Sequence, residues 1–476
     1  MIKARALPAA DPLSGGPAAR FFTEGELEST FTEAFRFALR SLTDHPRSAG
    51  TEFRGPGPVL ILPPDLTRIH SRAGLLSAAA CRELAASPRR AGGNWSLGGI
   101  MPALGTHRSL GPEETALMFP RCPADKFLPH LWRSDTVELG RLEAPWVEAR
   151  FSAGPGGGPE LPAGAFALDW PVQVNRALRE GLNGRPFSLI VSIGQVVPHE
   201  VAGMANHGKN IFIGTGGEEG INKSHWLGAL YGLERLMGRT ENPVRSLFDE
   251  GLRRYGSLLP PIFWALTVID RNGAVRGLFT GFGRECFERA AELSRQVNIE
   301  YLPEPVKKIV VWLDPKEYRS CWLGNKAIYR SRGALASGGE LVILAPALER
   351  FGEDEEIDRL IRSYGYRGAA AIQRAVAAGG EGGGLARSLC AAAHLIHGSS
   401  EGRFTVRYCT GGTGNLGREE LEGAGFAWGD LEEESARCLP KNPVTGRHTS
   451  PDGEEYYFIE NPGLGLWISQ ANSSPP

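Results

Sequence analysis

The chain has 476 residues, with 52 Lys and Arg against 54 Asp and Glu and a formal net charge of −2. That balance excludes a polybasic nucleic-acid binder and a protein held electrostatically to an anionic membrane. The length predicts two or three domains with substantial cores, and the 62 glycines and 34 prolines are spread over many turns without a collagen-like period.

The seven cysteines are scattered and odd in number, and no CxxC pair occurs. This argues against a disulfide scaffold and a thiolate zinc site, and it fits a reducing compartment. The N-terminal MIKARALPAADPLSGG lacks the apolar core of a signal peptide, and no run approaches the ~18 apolar residues of a membrane span. The expectation is a soluble cytoplasmic protein without membrane or nucleic-acid partners.

In chain order, residues 1–20 read as loose. A helix is predicted over 23–42, with Thr23 as its cap and Glu24 and Glu26 at its positive end. PVLIL (58–62) reads as a buried strand running into Pro64-Asp65-Leu66-Thr67-Arg68, with a helix over 74–86 behind it. Arg68 is suited to fork a carboxylate or phosphate, and Asp65 to fix it or accept from a ligand hydroxyl; a capped surface turn is the plain alternative. The scheme repeats. A strand over 97–104 ends in Gly105-Thr106-His107-Arg108, and Pro112-Glu113-Glu114 opens a helix. GPGGGP at 154–159 is a flexible turn, since it lacks the strand, lysine and helix of a phosphate loop. Residues 168–180 are expected to include a helix.

The stretch from Ser192 to Trp226 carries three of the ten histidines and Lys209. A strand over 186–193 precedes it, so His199 falls on a loop at a strand end, where α/β folds bind ligands. Lys209 reads as entering a second short strand (NIFIG, 210–214), and His225 as lying on a helix over 218–236. Beyond it, residues 237–305 read as helical with a break at Pro260-Pro261. A hairpin over 265–283 is expected to turn at Asn272-Gly273 in a type I′ geometry. A second α/β block follows: strand 308–313, helix 322–335, a Gly338-Gly339 turn, strand 340–344, helix 354–364, helical segments to 397, and strand 403–408. The region beyond Pro440 reads as a loose Pro/Gly/Ser-rich tail. The expected division is an N-terminal α/β domain (1–275), a C-terminal α/β domain (276–440) and the tail (441–476).

The residue types alone collect Asp65, Arg68, His107, Arg108, His199, Lys209, His225 and Lys326. Two histidines make the simplest acid–base pair near neutral pH. A desolvated lysine is a candidate nucleophile, and histidine also ligates nickel, zinc or iron. A surface or structural role stays open for each residue singly.

Taken together, PDLTR (64–68), GTHRSLGPEE (105–114), PHEVAG with Lys209 ten residues after His199, and His225 sixteen after Lys209 resemble the nickel-pincer-dependent lactate racemase family. Lys326, twelve residues before Gly338, fits the same pattern, and the similarity spans most of 58–346. The resemblance implies two α/β domains with the active site in the cleft between them. It implies nickel held by a pyridinium-3-thioamide-5-thiocarboxylic acid mononucleotide linked covalently to Lys209, with His225 as the protein ligand to the metal. His107 and His199 would be the acid/base pair on the two faces of a 2-hydroxy acid undergoing racemisation or epimerisation. Arg68 and Lys326 would hold its carboxylate, Asp65 would buttress that site, and Thr67 or Arg108 would touch the cofactor phosphate. Trp322 and Leu323 stand where lactate enzymes carry tyrosine and glutamine, which points to a bulkier acid or a sugar acid. His70 and His207 are additional polar groups, each with a surface role as the plain reading. Cofactor-synthesis proteins would be the macromolecular partners. Two other readings stand beside this one: a zinc- or iron-dependent lyase or hydrolase using the histidines, and a cofactor-free binding homologue.

Overall fold

The computed structural model describes residues 21–44, 53, 55–90, 94–152, 164–379 and 384–472. The expectations for residues 1–20 and for the turn at 154–159 fall outside these. The described residues form two compact units, one of 21–152, 164–224 and 240–297, the other of 225–239 and 298–472. The first unit thus runs past the expected boundary at 275, which would cut a hairpin.

The first unit contains β1 (Pro58–Leu62), β2 (Ser96–Ile100), β3 (Thr136–Leu142), β4 (Trp170–Asn175), β5 (Leu189–Gln195), β6 (Pro198–His199), β7 (Gly203–Met204), β8 (Ile262–Ile269) and β9 (Val275–Gly281). Its main sheet has the order β2-β1-β5-β8-β9, parallel except for β9. Every residue of β5 is buried, as expected of a strand covered on both faces. Helices Glu24–Asp44 and Ala73–Arg90 cover one face. In the first of these, Leu27, Phe31, Phe35 and Leu39 recur at helical spacing and pack on Val59, Ile61, Val191 and Ile193. Truncating Phe31 to alanine would cost ~3–5 kcal/mol. Thr23 caps this helix as expected, through a reciprocal pair with Glu26: the Glu26 amide donates to Thr23 Oγ1 at 3.2 Å, and the Thr23 amide to Glu26 Oε2 at 2.8 Å.

The segment 168–180 includes a helix as expected, Arg176–Glu180, capped by Asn175, and residues 170–175 before it form a strand with Trp170, Val172 and Val174 buried. Two expectations need correction here. The helix expected over 218–236 is two, Glu218–Tyr231 and Leu233–Leu236, divided at Gly232. The β8–β9 hairpin forms, but its turn is not type I′. Asp270 Oδ1 accepts from the amides of Asn272 (3.0 Å) and Ala274 (2.9 Å), so only Gly273 (φ +79°) takes a left-handed conformation.

The second unit contains β10 (Ile299–Leu302), β11 (Val306–Trp312), β12 (Leu335–Leu344), β13 (Thr405–Thr410), β14 (Ala427–Asp430), β15 (Gly446–Thr449), β16 (Glu455–Ile459) and β17 (Leu466–Ser469). Its sheet has the order β14-β13-β12-β11-β16-β15, and only β15 runs antiparallel. The stretch expected as a loose tail therefore supplies a strand directly beside β11, in which Tyr456, Tyr457, Phe458 and Ile459 are all buried. Gly338-Gly339 lies inside β12, not before it. The register against β11 slips there, and Gly338 (φ +75°) accommodates the bulge. The expected helix over 322–335 is two short pieces, Cys321–Gly324 and Lys326–Ser331, meeting at Asn325. No described helix is long and apolar enough to cross a membrane, and all seven cysteines are free.

Candidate active site at the strand ends of the first unit

Strands β1, β2 and β5 are parallel neighbours, so the loops after them leave the same edge of the sheet. These loops carry Asp65, Thr67 and Arg68, then His107, then His199. Backbone bonds hold the first two together: the Met101 amide donates to Ile61 O (2.9 Å) and the Ala103 amide to Pro63 O (2.8 Å). The Gly105 amide donates to Gly214 O at 2.9 Å, which ties the His107 loop to the segment after Lys209.

His107 Nδ1 and Asp65 Oδ2 form a short contact. Thr67 Oγ1 donates to the other oxygen of the same carboxylate, Oδ1, at 2.7 Å. An ionised carboxylate can only accept, so His107 carries its proton on Nδ1 and directs Nε2 away from Asp65. Asp65 therefore orients a histidine, a role that residue type alone did not disclose, and Thr67 steadies the carboxylate.

His199 lies in the tight β6–β7 hairpin, opposite Gly203, and is buried. Its Nδ1 accepts from the backbone amides of Val201 (3.1 Å) and Ala202 (3.4 Å). Its Nε2 is 3.7 Å from Glu200 Oε1. Glu200 went unnoticed in the sequence, although it adjoins His199.

Lys209 does not enter a strand. The run NIFIG, expected as β, is a wide π-type turn, Asn210–Gly214, anchored by Asn210 Nδ2 donating to Ser192 Oγ at 2.8 Å. Lys209 keeps part of its surface accessible, yet its ammonium is pushed down to about 8. Burial is the main cause, followed by repulsion from Arg68; the carboxylates of Glu200 and Asp65 pull the other way. Lysine, Arg68, Asp65 and Glu200 are thus electrostatic neighbours.

The approach to Lys209 is strained. Asn206 (φ +70°) and His207 (φ +56°) are both left-handed, a conformation that costs energy in non-glycine residues and recurs at functional sites. His207 is not a surface group. It is buried beside the Trp264 and Phe287 rings at 4.4 and 5.2 Å, and burial, then the positive Arg245 and Arg284, holds it neutral. Arg245, fully buried, clamps the whole segment: it donates to Asn206 O (3.1 Å), Ala202 O (3.4 Å) and, at short range, Met204 O. Burial pushes its guanidinium down to about 10. No sequence signal marks Arg245, since its partners are carbonyls some 40 positions away.

The remaining expected residues are placed as follows. Arg108 is exposed and forks Glu114, with 2.9 Å to Oε2, so the GTHR…EE spacing serves at least a local bridge. His70 is half-buried in the short helix Leu66–Ser71. His225 lies half-buried on helix Glu218–Tyr231 and is grouped with the second unit. In that unit Lys326 is buried, its Nζ 5.8 Å from the centre of the Tyr318 ring. Trp322 stacks on His394 at 4.3 Å. His394, which the sequence did not single out, is bonded to Tyr329 Oη (2.8 Å), Tyr366 Oη (2.9 Å) and Asn325 Nδ2 (3.3 Å). Among the described residues, no group of three or more His, Cys, Asp or Glu is arranged to hold a metal ion.

No protein-family profile matches the sequence, and no curated protein matches it. Solved structures similar in fold include the following two. A protein from Thermotoga maritima superposes with a TM-score of 0.73 at 21% identity, over 94% of this chain and 99% of its own. The lactate racemase apoprotein from Thermoanaerobacterium thermosaccharolyticum does so with a TM-score of 0.60 at 16% identity, over 92% of each chain. At these identities the likeness establishes a fold, and the chain is an α/β protein built on the plan of that lactate racemase apoprotein.

Proposed function

We propose that this chain is a racemase or epimerase of a 2-hydroxy acid that carries a nickel-pincer nucleotide on Lys209. The observation that carries the reading is Lys209: a lysine of depressed pKa, partly accessible, set among Arg68, Asp65 and Glu200 in the unit that also holds the Asp65–His107 pair. A neutral amine is what formation of a thioamide link requires. The donor set fits such a group, because a metal that draws its other ligands from a cofactor needs one protein ligand, for which His225 is proposed. A zinc or iron hydrolase would need a cluster of protein donors, and none is formed among the described residues.

When bound, the cofactor would supply the hydride acceptor and donor. The chain's own residues would do the rest. Arg68 and Lys326 are assigned the substrate carboxylate, Trp322 a wall against its side chain, and His107 and His199 its hydroxyl oxygen, with Asp65 holding the His107 ring. Thr67 and Arg108 are proposed nearest the cofactor phosphate. The protein would act in the cytoplasm and depend on cofactor-synthesis proteins.

Intact-protein mass spectrometry with metal analysis, on chain co-expressed with a pincer-synthesis pathway, tests the reading. A mass gain on the Lys209 peptide with stoichiometric nickel is expected, followed by interconversion of one 2-hydroxy acid or aldonate in a screen. An unmodified Lys209 in protein that instead retains zinc would overturn it.

A further inference from the structure

We propose that Cys81 and Cys122 form an oxidisable dithiol, which hydrogen peroxide joins in a reversible disulfide that fastens the chain segment bearing His107 to helix Ala73–Arg90. The two residues are 41 positions apart in the sequence, yet their thiols are hydrogen-bonded to each other. Cys81 lies on helix Ala73–Arg90, and Cys122 follows helix Pro112–Met118. Cys81 belongs to the core of the first unit, and Cys122 packs half-buried against the same core.

Packing holds the pair together. The Phe119 amide donates to Thr115 O at 2.8 Å and the Cys122 amide to Phe119 O at 3.0 Å, so the turn that carries Cys122 is fixed to the end of its helix. A Cβ on Gly74 would lie 1.9 Å from Met118 O. That turn therefore rests directly on the first turn of the helix that carries Cys81. The chain between the two cysteines runs through β2, the His107 turn and helix Pro112–Met118.

The two thiols are unequal. The Cys122 S–H donates to the Cys81 sulfur, which holds the Cys81 thiol below its ordinary range against the upward pull of burial, and the Arg82 charge adds to the effect. The same hydrogen bond, then burial, keeps the proton on Cys122. Cys81 is thus the attacking thiolate and Cys122 the resolving thiol. The other five cysteines are buried. Burial pushes Cys286 up to about 12 and Cys438 up to about 11, and it raises Cys321 and Cys409 as well.

The Cys81 thiolate attacks one oxygen of hydrogen peroxide. The O–O bond breaks, Cys81 becomes a sulfenic acid and hydroxide leaves. The Cys122 sulfur then attacks the Cys81 sulfur. The S–S bond forms, and the displaced hydroxide leaves as water with the Cys122 proton. Two electrons pass from the dithiol to the peroxide, and an added dithiol such as dithiothreitol returns them by exchange.

The test treats the reduced, full-length chain with a small excess of hydrogen peroxide, then blocks the remaining thiols and maps the peptides by mass spectrometry. A Cys81–Cys122 link that dithiothreitol reverses is expected, with the other five cysteines still blockable after denaturation. Seven blockable thiols, at peroxide levels that convert free glutathione to its disulfide, would overturn the proposal, as would links between chains or through other cysteines. Cys122→Ser should stop at a Cys81 sulfenic acid that dimedone traps, whereas Cys81→Ser should oxidise at Cys122 ~10-fold more slowly or less. Equal rates in the two variants would overturn the unequal roles. Hydrogen exchange reads the fastening: amides of 96–118 should exchange ~10-fold more slowly in the bridged chain than in the reduced one. Unchanged exchange there would show that the bridge fastens nothing.

Discussion

The two units each hold buried histidine wiring, and they use it differently. In the second unit His394 has both ring nitrogens engaged with side chains: Tyr329 on Nδ1, Tyr366 and Asn325 on Nε2, with Trp322 stacked on its face. Tyr408 closes the network by donating to Asn325 Oδ1 at 2.8 Å. Such a ring is a joint in a core, joining the helix break at Asn325 to the helix Leu389–His397. In the first unit His107 and His199 are each fixed through Nδ1, by a carboxylate or by backbone amides, which sets the state of Nε2 without using it for packing. His107 and His199 are oriented through these Nδ1 contacts, whereas side chains lock the His394 ring at both nitrogens. Burial alone does not separate the cases, since His199 and His394 are both buried.

The comparison predicts that changes around His107 damage activity, whereas changes around His394 damage stability. The largest expected effect is from Asp65→Asn. An amide can offer N–H to Nδ1 and so favour the wrong tautomer, and turnover should fall by ~10³-fold or more with the fold intact, as read by steady-state kinetics beside circular dichroism. Survival of near-normal turnover would show that Asp65 does not orient His107.

Next is His394→Phe. It removes a ring-nitrogen partner from the hydroxyls of Tyr329 and Tyr366 in the core, where each lost bond costs ~1 kcal/mol or more. Denaturant unfolding should show a loss of several kcal/mol. Arg245→Met is the matching change in the first unit: it removes the guanidinium donor from the carbonyls of Asn206, Ala202 and Met204, and a loss of ~3–5 kcal/mol is expected. It should also impair cofactor attachment, because the clamped segment carries Lys209, and the mass-spectrometric yield of adduct measures this.

Lys209→Met separates stability from function. The folded-state pKa of about 8 lies below the ~10.4 of an unfolded lysine. Folding must therefore keep a disfavoured ammonium below pH 8, a cost that shrinks as pH rises and is gone above the unfolded value. Lys209→Met should remove all adduct and activity, yet raise Tm modestly at pH 7, with the gain fading towards pH 10. A loss of stability across that range would contradict the depressed pKa. The smallest effect is expected from Arg108→Ala. An exposed pair with Glu114 is worth at most ~1 kcal/mol of stability, so the change should show in a modest fall of adduct yield, and an unaltered yield would remove Arg108 from the cofactor phosphate.

Local signals were legible where the chemistry is local. The cap at Thr23, the buried strand 58–62, the helix opened by Pro112 and the hairpin around Gly273 depend on residues within a few positions of one another. The order of polar loops after β1, β2 and β5 was likewise readable, which put Asp65, His107 and His199 at strand ends. Elements of ambiguous period were misread. NIFIG is buried all round, and so short a buried run does not distinguish a strand from a helical turn. WPVQVN was hidden by the helix-forming residues behind it, and β16 by the turn-rich sequence around it. What tertiary structure alone decided is pairing. The chain places an aspartate and a histidine 42 positions apart, and only the folded sheet edge brings Asp65 onto His107. It places an arginine some 40 positions after the segment it clamps, and only packing puts Arg245 on those carbonyls. Residue type and spacing determined which side chains could do chemistry. The long-range hydrogen bonds that orient His107 and clamp the Lys209 segment were set by contacts that no local pattern encodes.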